Sequence, residues 1–380
     1  MKKCIHILFL SSIYFNLLIA QTTIISNHNS AKLSIIPVSW IDSAKAKLHI
    51  AYGHTSHGSQ LITGMEGLEN WKGSQYAFND GGSGGALDIN DYAFSGASDL
   101  GSPDFTAWES ATRNYLNDPS NSNVNVVIWS WCGQVSWASE NDINTYLSLM
   151  TGLENDFPDV KFVYMTGHLD GSGLAGNLNI RNEQIRNYCL TNHKILFDFN
   201  DIESYDPDGN YYLDKAANDN CDYDSDGDGY TDANWALDWQ NSHTINVDWY
   251  DCSPAHTQAL NGNLKAYAAW WLWAKLAGWN YTSGTDNEVI INEYKLQQNF
   301  PNPFNPVTSI RFSISKREFV QLNIYDILGN EILSLVNEYR NAGSYDIEFN
   351  INNSNSSSGV YFYQLKAGDF AETKKMILLK

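Results

Sequence analysis

The sequence predicts an α/β protein with a doubly wound parallel sheet, followed by a small all-β sandwich. Three observations lead there. Short apolar runs of the buried-strand type alternate with helical patterns between about residues 32 and 280. From Asn280 to Asn287 the chain is small, polar and aperiodic, which marks a linker and a boundary near residue 285. Beyond it only alternating segments recur, separated by Gly, Asn and Ser turns. A chain of 380 residues exceeds the usual ~100–200 of one domain, which agrees with two units. Hydrophobic residues at 43% and aromatics at 13% exclude disorder for most of it. Lys+Arg 23 against Asp+Glu 43 gives a net charge of −20, a field that repels phosphate backbones and excludes a nucleic-acid partner.

The elements follow in chain order. Lys2 and Lys3 precede the apolar run Ile5–Ala20, and Ala20 offers a small residue before Gln21, so residues 1–20 read as a signal peptide. The protein is therefore expected to be exported, secreted or surface-attached, without a transmembrane anchor. Cys4 leaves with the signal, and Cys132, Cys189, Cys221 and Cys252 remain, an even set in an oxidising destination that allows three connectivities. A Cys221–Cys252 disulfide is the pairing expected. Strands are expected at Leu48–Tyr52, Val124–Trp129, Val160–Met165 and Lys194–Phe199. Helices are expected at Asp142–Leu153, Leu178–Leu190 and Asn261–Leu276, the last rich in Ala and Trp. After the boundary, strands are expected at Ser309–Ile314, Val320–Tyr325, Ser344–Phe349 and Val360–Leu365.

Sites in such a sheet gather at the carboxyl ends of the strands. There the sequence sets Gly53-His54-Thr55-Ser56-His57-Gly58-Ser59-Gln60, then Ser130-Trp131-Cys132-Gly133-Gln134, then Thr166-Gly167-His168-Leu169-Asp170, and Asp251-Cys252-Ser253-Pro254-Ala255-His256 before the last helix. This order resembles the SGNH, or GDSL-like, hydrolases over roughly residues 45–280. The resemblance implies a flavodoxin-like sheet and a serine esterase. Ser56 matches the family's serine, His256 its histidine, and Gly133 the turn after the middle strand. One glycine of Gly81-Gly82-Ser83-Gly84-Gly85 matches the oxyanion glycine. The family's aspartate three residues before the histidine is Ser253 here, so Asp251 or Asp248 would orient the imidazole. The middle-turn asparagine is missing, and Gln134 is the nearest amide.

A serine hydroxyl needs a base to remove its proton, and Ser56 with His256 supplies such a pair, with Ser59 as rival nucleophile. Oxyanion donors are expected from the Ser56 and Gly85 backbones, Gly133 and the Gln134 side chain. His54, His57 and His168 read either as a three-histidine metal site or as residues lining the substrate cleft. Trp131 and Trp137 are the rings placed to stack on sugars, whereas Trp270, Trp271 and Trp273 read as core. Carboxylates alternate through Asp222, Asp224, Asp226, Asp228 and Asp232 with glycines between. The register Asp224, Asp226, Asp228, Asp232 resembles the calcium loops of dockerin and thrombospondin type 3 repeats, and Asp222, Asp224, Asp226, Asp228 fits the start of an EF-hand loop without its twelfth-position Glu, so a structural Ca2+ is expected.

Nearly all of residues 290–380 resembles the C-terminal sorting domain of the bacterial type IX secretion system, an immunoglobulin-like sandwich. The matching residues are Asn299-Phe300-Pro301-Asn302-Pro303-Phe304-Asn305-Pro306, Ile324-Tyr325-Asp326-Ile327-Leu328-Gly329, Ser358-Gly359-Val360-Tyr361-Phe362 and Lys374-Lys375-Met376. The resemblance implies passage across an outer membrane by the type IX machinery. The function expected is removal of acyl groups, acetyl among them, from a polysaccharide. The alternative is a non-catalytic carbohydrate-binding or adhesion protein on a degenerate hydrolase fold.

Overall fold

In the computed structural model, which describes residues 23–280, 294–315, 318–340, 343–351 and 357–379, the apolar runs become neighbours in one sheet. The expected signal peptide and most of the expected linker lie outside the described residues. The strands are β1 (Ile24–Ser26), β2 (His49–Gly53), β3 (Phe78–Asn79), β4 (Leu87–Asn90), β5 (Val126–Trp129), β6 (Lys161–Met165) and β7 (Ile195–Phe197). Their order is β1-β7-β6-β5-β2-β4-β3, and every pairing is parallel. Val126, Val127, Ile128 and Trp129 are all buried, as a strand covered on both faces requires. β1 and β4 escaped sequence reading because three or four residues are too few to establish a period.

The helices are α1 (Val38–Lys47), α2 (Ser59–Lys72), α3 (Ala107–Leu116), α4 (Glu140–Asp156), α5 (Asn177–Thr191), α6 (Phe199–Glu203), α7 (Trp235–Ser242) and α8 (Ala259–Leu276). One group packs α1 and α2 on α8, and another packs α4 against α3 and α5. α4 begins at a capping box in which the Ser139 hydroxyl accepts from the Asp142 N–H and Asp142 reaches back to the Ser139 N–H. α8 is buried nearly all round, so Trp270 and Trp273 are core as expected, and each such side chain contributes roughly 1.5–3 kcal/mol by leaving water. The contact between α2 and α8 depends on Gly64, where a Cβ would stand 2.1 Å from the Gly262 carbonyl oxygen.

A small hairpin of β8 (Asp222–Tyr223) and β9 (Ala233–Asn234) carries the acidic loop. The C-terminal region is all β, with an antiparallel sheet β10-β11-β14 and a second, β13-β12-β15-β16. Its strands are β10 (Lys295–Leu296), β11 (Val307–Ile314), β12 (Glu318–Tyr325), β13 (Glu331–Arg340), β14 (Gly343–Asn350), β15 (Gly359–Ala367) and β16 (Phe370–Leu378). Val320, Leu322 and Ile324 alternate into a hydrophobic cluster of its own with Tyr363, Leu365 and Met376. Among the described residues no helix is long and apolar enough to cross a membrane.

Candidate functional site

Strand register decides which residues meet. β2 and β5 run parallel with Gly53 opposite Trp129, so the turns that follow them leave the sheet side by side. β2 lies between β4, which follows it in the chain, and β5, so the chain reverses its direction of winding here, and such a switch point opens a crevice at the carboxyl edge. His57 emerges from the first turn and Cys132 from the second. His57 Nδ1 stands 3.3 Å from Cys132 Sγ, and His57 Nε2 is 3.0 Å from a carboxylate oxygen of Asp219, carried by the segment between β7 and β8. Thiol, imidazole and carboxylate thus form a continuous relay. Ser56 Oγ is 3.7 Å from the same sulfur.

Electrostatics reinforces the chain. Burial pushes the Cys132 thiol up, but hydrogen bonds from His57 and Ser56, with the His57 charge, outweigh it and hold the thiol below its ordinary value. Burial pushes His57 down, yet the bonds to Asp219 and Cys132 win and raise it. Burial raises Asp219, and His57 and His168 more than compensate, leaving it low. The three shifts together favour a thiolate beside an imidazolium. The other thiols differ: burial lifts Cys221 and Cys252 to about 12 and holds Cys189 well above its ordinary value.

Two further histidines stack on the first. The His168 ring lies 3.7 Å from His57 at 2°, and the His256 ring 4.6 Å away at 16°. Burial lowers His168, despite the opposing Glu203 charge, so the stack pairs a raised imidazole with a lowered one and avoids two adjacent cations. Beneath lies a polar lattice. Asp99 accepts from Thr55 Oγ1 at 2.9 Å and from Gln134 Nε2 at 3.0 Å, tying the two turns together. Glu203 accepts from the Leu169 N–H at 2.8 Å and from Lys265 Nζ at 2.6 Å, both charged side chains being fully buried.

Several expected residues stand elsewhere. Among the described residues no hydrogen bond joins Ser56 to His256, and none joins His256 to Asp251 or Asp248; the carboxylate that orients an imidazole belongs to His57. Ser59 Oγ donates to the Ser56 carbonyl at 2.7 Å, a first-turn contact of α2 rather than a nucleophile's setting. Gly85 precedes β4 and so lies at the amino edge of the sheet, opposite the site. The glycine that approaches is Gly101, where a Cβ would meet Gln134 Cγ at 2.4 Å. The Gln134 amide is engaged at both ends, its oxygen accepting from the Cys132 N–H at 2.9 Å and its nitrogen donating to Asp99, so it positions the thiol's backbone. Gly133 does adjoin the thiol, and its N–H and that of Ser56 make no hydrogen bond among the described residues.

His57 and His168 sit at the heart of the site, but His54 does not. Its buried side chain places Nε2 3.7 Å from Asp91, with the ring against Tyr52 and Tyr92. Trp131 is 2% exposed and donates to the Met165 carbonyl, which makes it core rather than platform. Trp137 is 65% exposed and packs on Phe105. Sequence reading missed Cys132, counted among disulfide candidates, and Asp219, which no motif marks. The expected Cys221–Cys252 disulfide is not formed, and all four described cysteines are free. Cys221 Sγ faces the Thr257 hydroxyl at 3.4 Å, while Cys252 Sγ accepts from Asn263 at 3.5 Å. In the acidic loop Asp224, Asp226 and Asp228 bring carboxylate oxygens within 4.8 Å of one another. Asp222 instead accepts from Asn220 and Asn234, and Asp232 from Ser225.

Comparison with known proteins bears on the C-terminal region. Residues 298–379 match the family model of a secretion system C-terminal sorting domain, which implies handling by the type IX machinery and a secreted or surface-attached destination. No curated protein matches the chain. Among solved structures, dimeric latent PorU from Porphyromonas gingivalis is similar at 19% identity and TM-score 0.19, covering 22% of this chain and 9% of that one. PorZ from the same organism gives 12% identity and TM-score 0.18, covering 26% and 13%. An endo-beta-1,4-mannanase from Thermotoga petrophila gives 12% identity and TM-score 0.19, covering 72% and 49%. The chain therefore spans from under a tenth to about half the length of these proteins, and at such scores none of them bears on the α/β region.

Proposed function

We propose that the α/β region is an exported acyl hydrolase, an esterase acting through a covalent thioester, in which Cys132 is the nucleophile. The observation that carries the reading is the chain Cys132 Sγ, His57 and Asp219, linked at 3.3 Å and 3.0 Å. The SGNH-like framework remains part of it, supported by the order β4-β2-β5-β6-β7 within the sheet and by the site at the carboxyl edge. What moves is the nucleophile, from Ser56 to the thiol 3.7 Å away.

The chemistry follows from the geometry. The Cys132 thiolate attacks the acyl carbon, and the N–H groups of Gly133 and Ser56 are the proposed donors to the carbonyl oxygen as charge develops on it, each such donor contributing ~3–4 kcal/mol. The His57 imidazolium gives its proton to the leaving alcohol oxygen as the C–O bond breaks. His57, now neutral, takes a proton from water, which attacks the thioester and frees the acid and the thiolate. Asp219 holds the ring in the required tautomer throughout.

An acylated glycan is the proposed substrate. Tyr92, 81% exposed beside His54, and Trp137 stand on the loops that follow β4 and β5 and offer apolar faces to a sugar ring. Turnover of a chromogenic acetyl ester by the full chain tests the reading. Cys132→Ala is expected to lower kcat/KM by about 10³ or more, as loss of a nucleophile does, whereas Ser56→Ala retains most of it. Activity that survives Cys132→Ala contradicts it. No turnover on esters or acetylated glycans favours the carbohydrate-binding alternative.

A further inference from the structure

We propose that the same cleft accepts a divalent cation of the zinc type, held by His57, His168 and Asp219, whose binding excludes thiol catalysis at the adjoining Cys132. The inhibitory consequence rests on the hydrolase reading above; the metal site does not.

The ligand atoms of His57, His168 and Asp219 already lie within 4.8 Å of one another. Tetrahedral zinc with bonds of ~2.0–2.1 Å asks for separations of about 3.4 Å, so side-chain rotations closing the cluster by less than about 1.5 Å would suffice. Two imidazoles and a carboxylate form a nitrogen-rich donor set, which suits zinc better than calcium or magnesium.

His168 supplies the independent observation. Its Nδ1 lies 2.7 Å from the Leu169 carbonyl, which can only accept, so Nδ1 carries the proton and Nε2 keeps a lone pair. Nε2 is buried and has no hydrogen-bond partner among the described residues, on a residue only 8% exposed. It faces the Cys132 turn, 3.9 Å from where a Cβ on Gly133 would stand. An acceptor buried without a donor is costly, and a ring nitrogen fixed by a carbonyl on its far side is how metal-binding histidines are held. Glu203 secures that carbonyl's residue through the Leu169 N–H. His54, the third imidazole expected from sequence, is turned toward Asp91 and takes no part.

Exclusion follows from valence. A neutral imidazole has one lone pair, and His57 cannot both ligate a cation through it and accept the proton of a thiol or water. Asp219 on the metal is likewise lost as the partner that orients His57. The cation therefore removes the base and its orienter together.

The test uses the full chain in excess calcium, with zinc alone as probe, reading stoichiometry by calorimetry and Cys132 carboxamidomethylation by peptide mass. The expected result is one zinc per chain and alkylation of Cys132 slowed about tenfold or more, since a His57 held on the cation no longer takes the proton of the thiol. His168→Asn is expected to weaken zinc binding about tenfold or more and to abolish protection, while its Cys132 still alkylates in metal-free buffer. Asp219→Asn, read by zinc stoichiometry and affinity alone, serves as a second variant should the first unfold. Absence of stoichiometric zinc, binding indifferent to both substitutions, or zinc that leaves alkylation unchanged overturns the proposal. A chain that binds zinc through His168 yet hydrolyses no ester sinks the hydrolase reading and supports the metal site.

Discussion

His57 Nδ1 lies 3.3 Å from Cys132 Sγ because β2 and β5 pair in register at Gly53 and Trp129, and each strand releases its turn at the same edge. The reactive pair is thus a product of sheet topology. Neither residue sits in a recognisable local motif.

The first prediction concerns pH. With His57 and Ser56 outweighing burial, the Cys132 thiol is held low, so in metal-free buffer its alkylation persists to lower pH than that of an ordinary cysteine near ~8.5. His57→Asn removes the strongest lowering partner and leaves the burial that raises the thiol, so the midpoint of the profile should rise. Iodoacetamide rates from pH 5 to 10 measure it; a wild-type midpoint at or above that of free cysteine contradicts the electrostatic account.

A second prediction concerns the lattice beneath the site. Lys265 and Glu203 are both fully buried and bonded at 2.6 Å, so removing one partner strands a buried charge. Lys265→Met alone should cost about 3–5 kcal/mol in urea unfolding. Adding Glu203→Gln neutralises the orphan and keeps an acceptor for the Leu169 N–H, so the double variant should recover part of the loss. A double variant less stable than Lys265→Met would refute the ion-pair explanation.

Much of the fold was legible and the site only partly so. Val124–Trp129 and Val160–Met165 read as buried strands because continuous apolar runs bounded by polar turns have few other uses in a parallel sheet. The strand ends correctly gathered His57, Cys132 and His168, but their roles depend on register, which no local pattern records. Asp219 shows this most clearly: it lies 162 positions from His57 in a stretch without motif. Cys132 was hidden by the even cysteine count, which suggests pairing, whereas the fold keeps Cys221 and Cys252 against Thr257 and Asn263. Ser56 illustrates the limit of resemblance, since it stands beside the Cys132 thiol and makes no hydrogen bond to His256 among the described residues.

A third prediction addresses calcium in the β8–β9 loop. With Asp224, Asp226 and Asp228 converging, calcium should raise the thermal midpoint of the chain and protect the loop from proteolysis, and Asp226→Asn/Asp228→Asn should abolish both effects. Equal shifts in wild type and variant would remove calcium from the account. Asp222 and Asp232, engaged by Asn234 and Ser225, should contribute less when substituted singly.

Export supplies the fourth. A chain lacking residues 298–379 should accumulate in the periplasm of a type IX-competent host instead of reaching the surface or medium. Fractionation with antibody detection reads the outcome, and unchanged export would refute the role of this region.

The central claim, that Cys132 forms the covalent intermediate, is tested most directly by acid-quenching the full chain during turnover of an activated acetyl ester and locating the acyl group by peptide mass spectrometry. The account predicts one acetyl group, on the peptide bearing Cys132, absent from Cys132→Ala and accumulating when His57→Asn slows deacylation. An acetyl group on Ser56, or turnover with no covalent species and undiminished in Cys132→Ala, would contradict it.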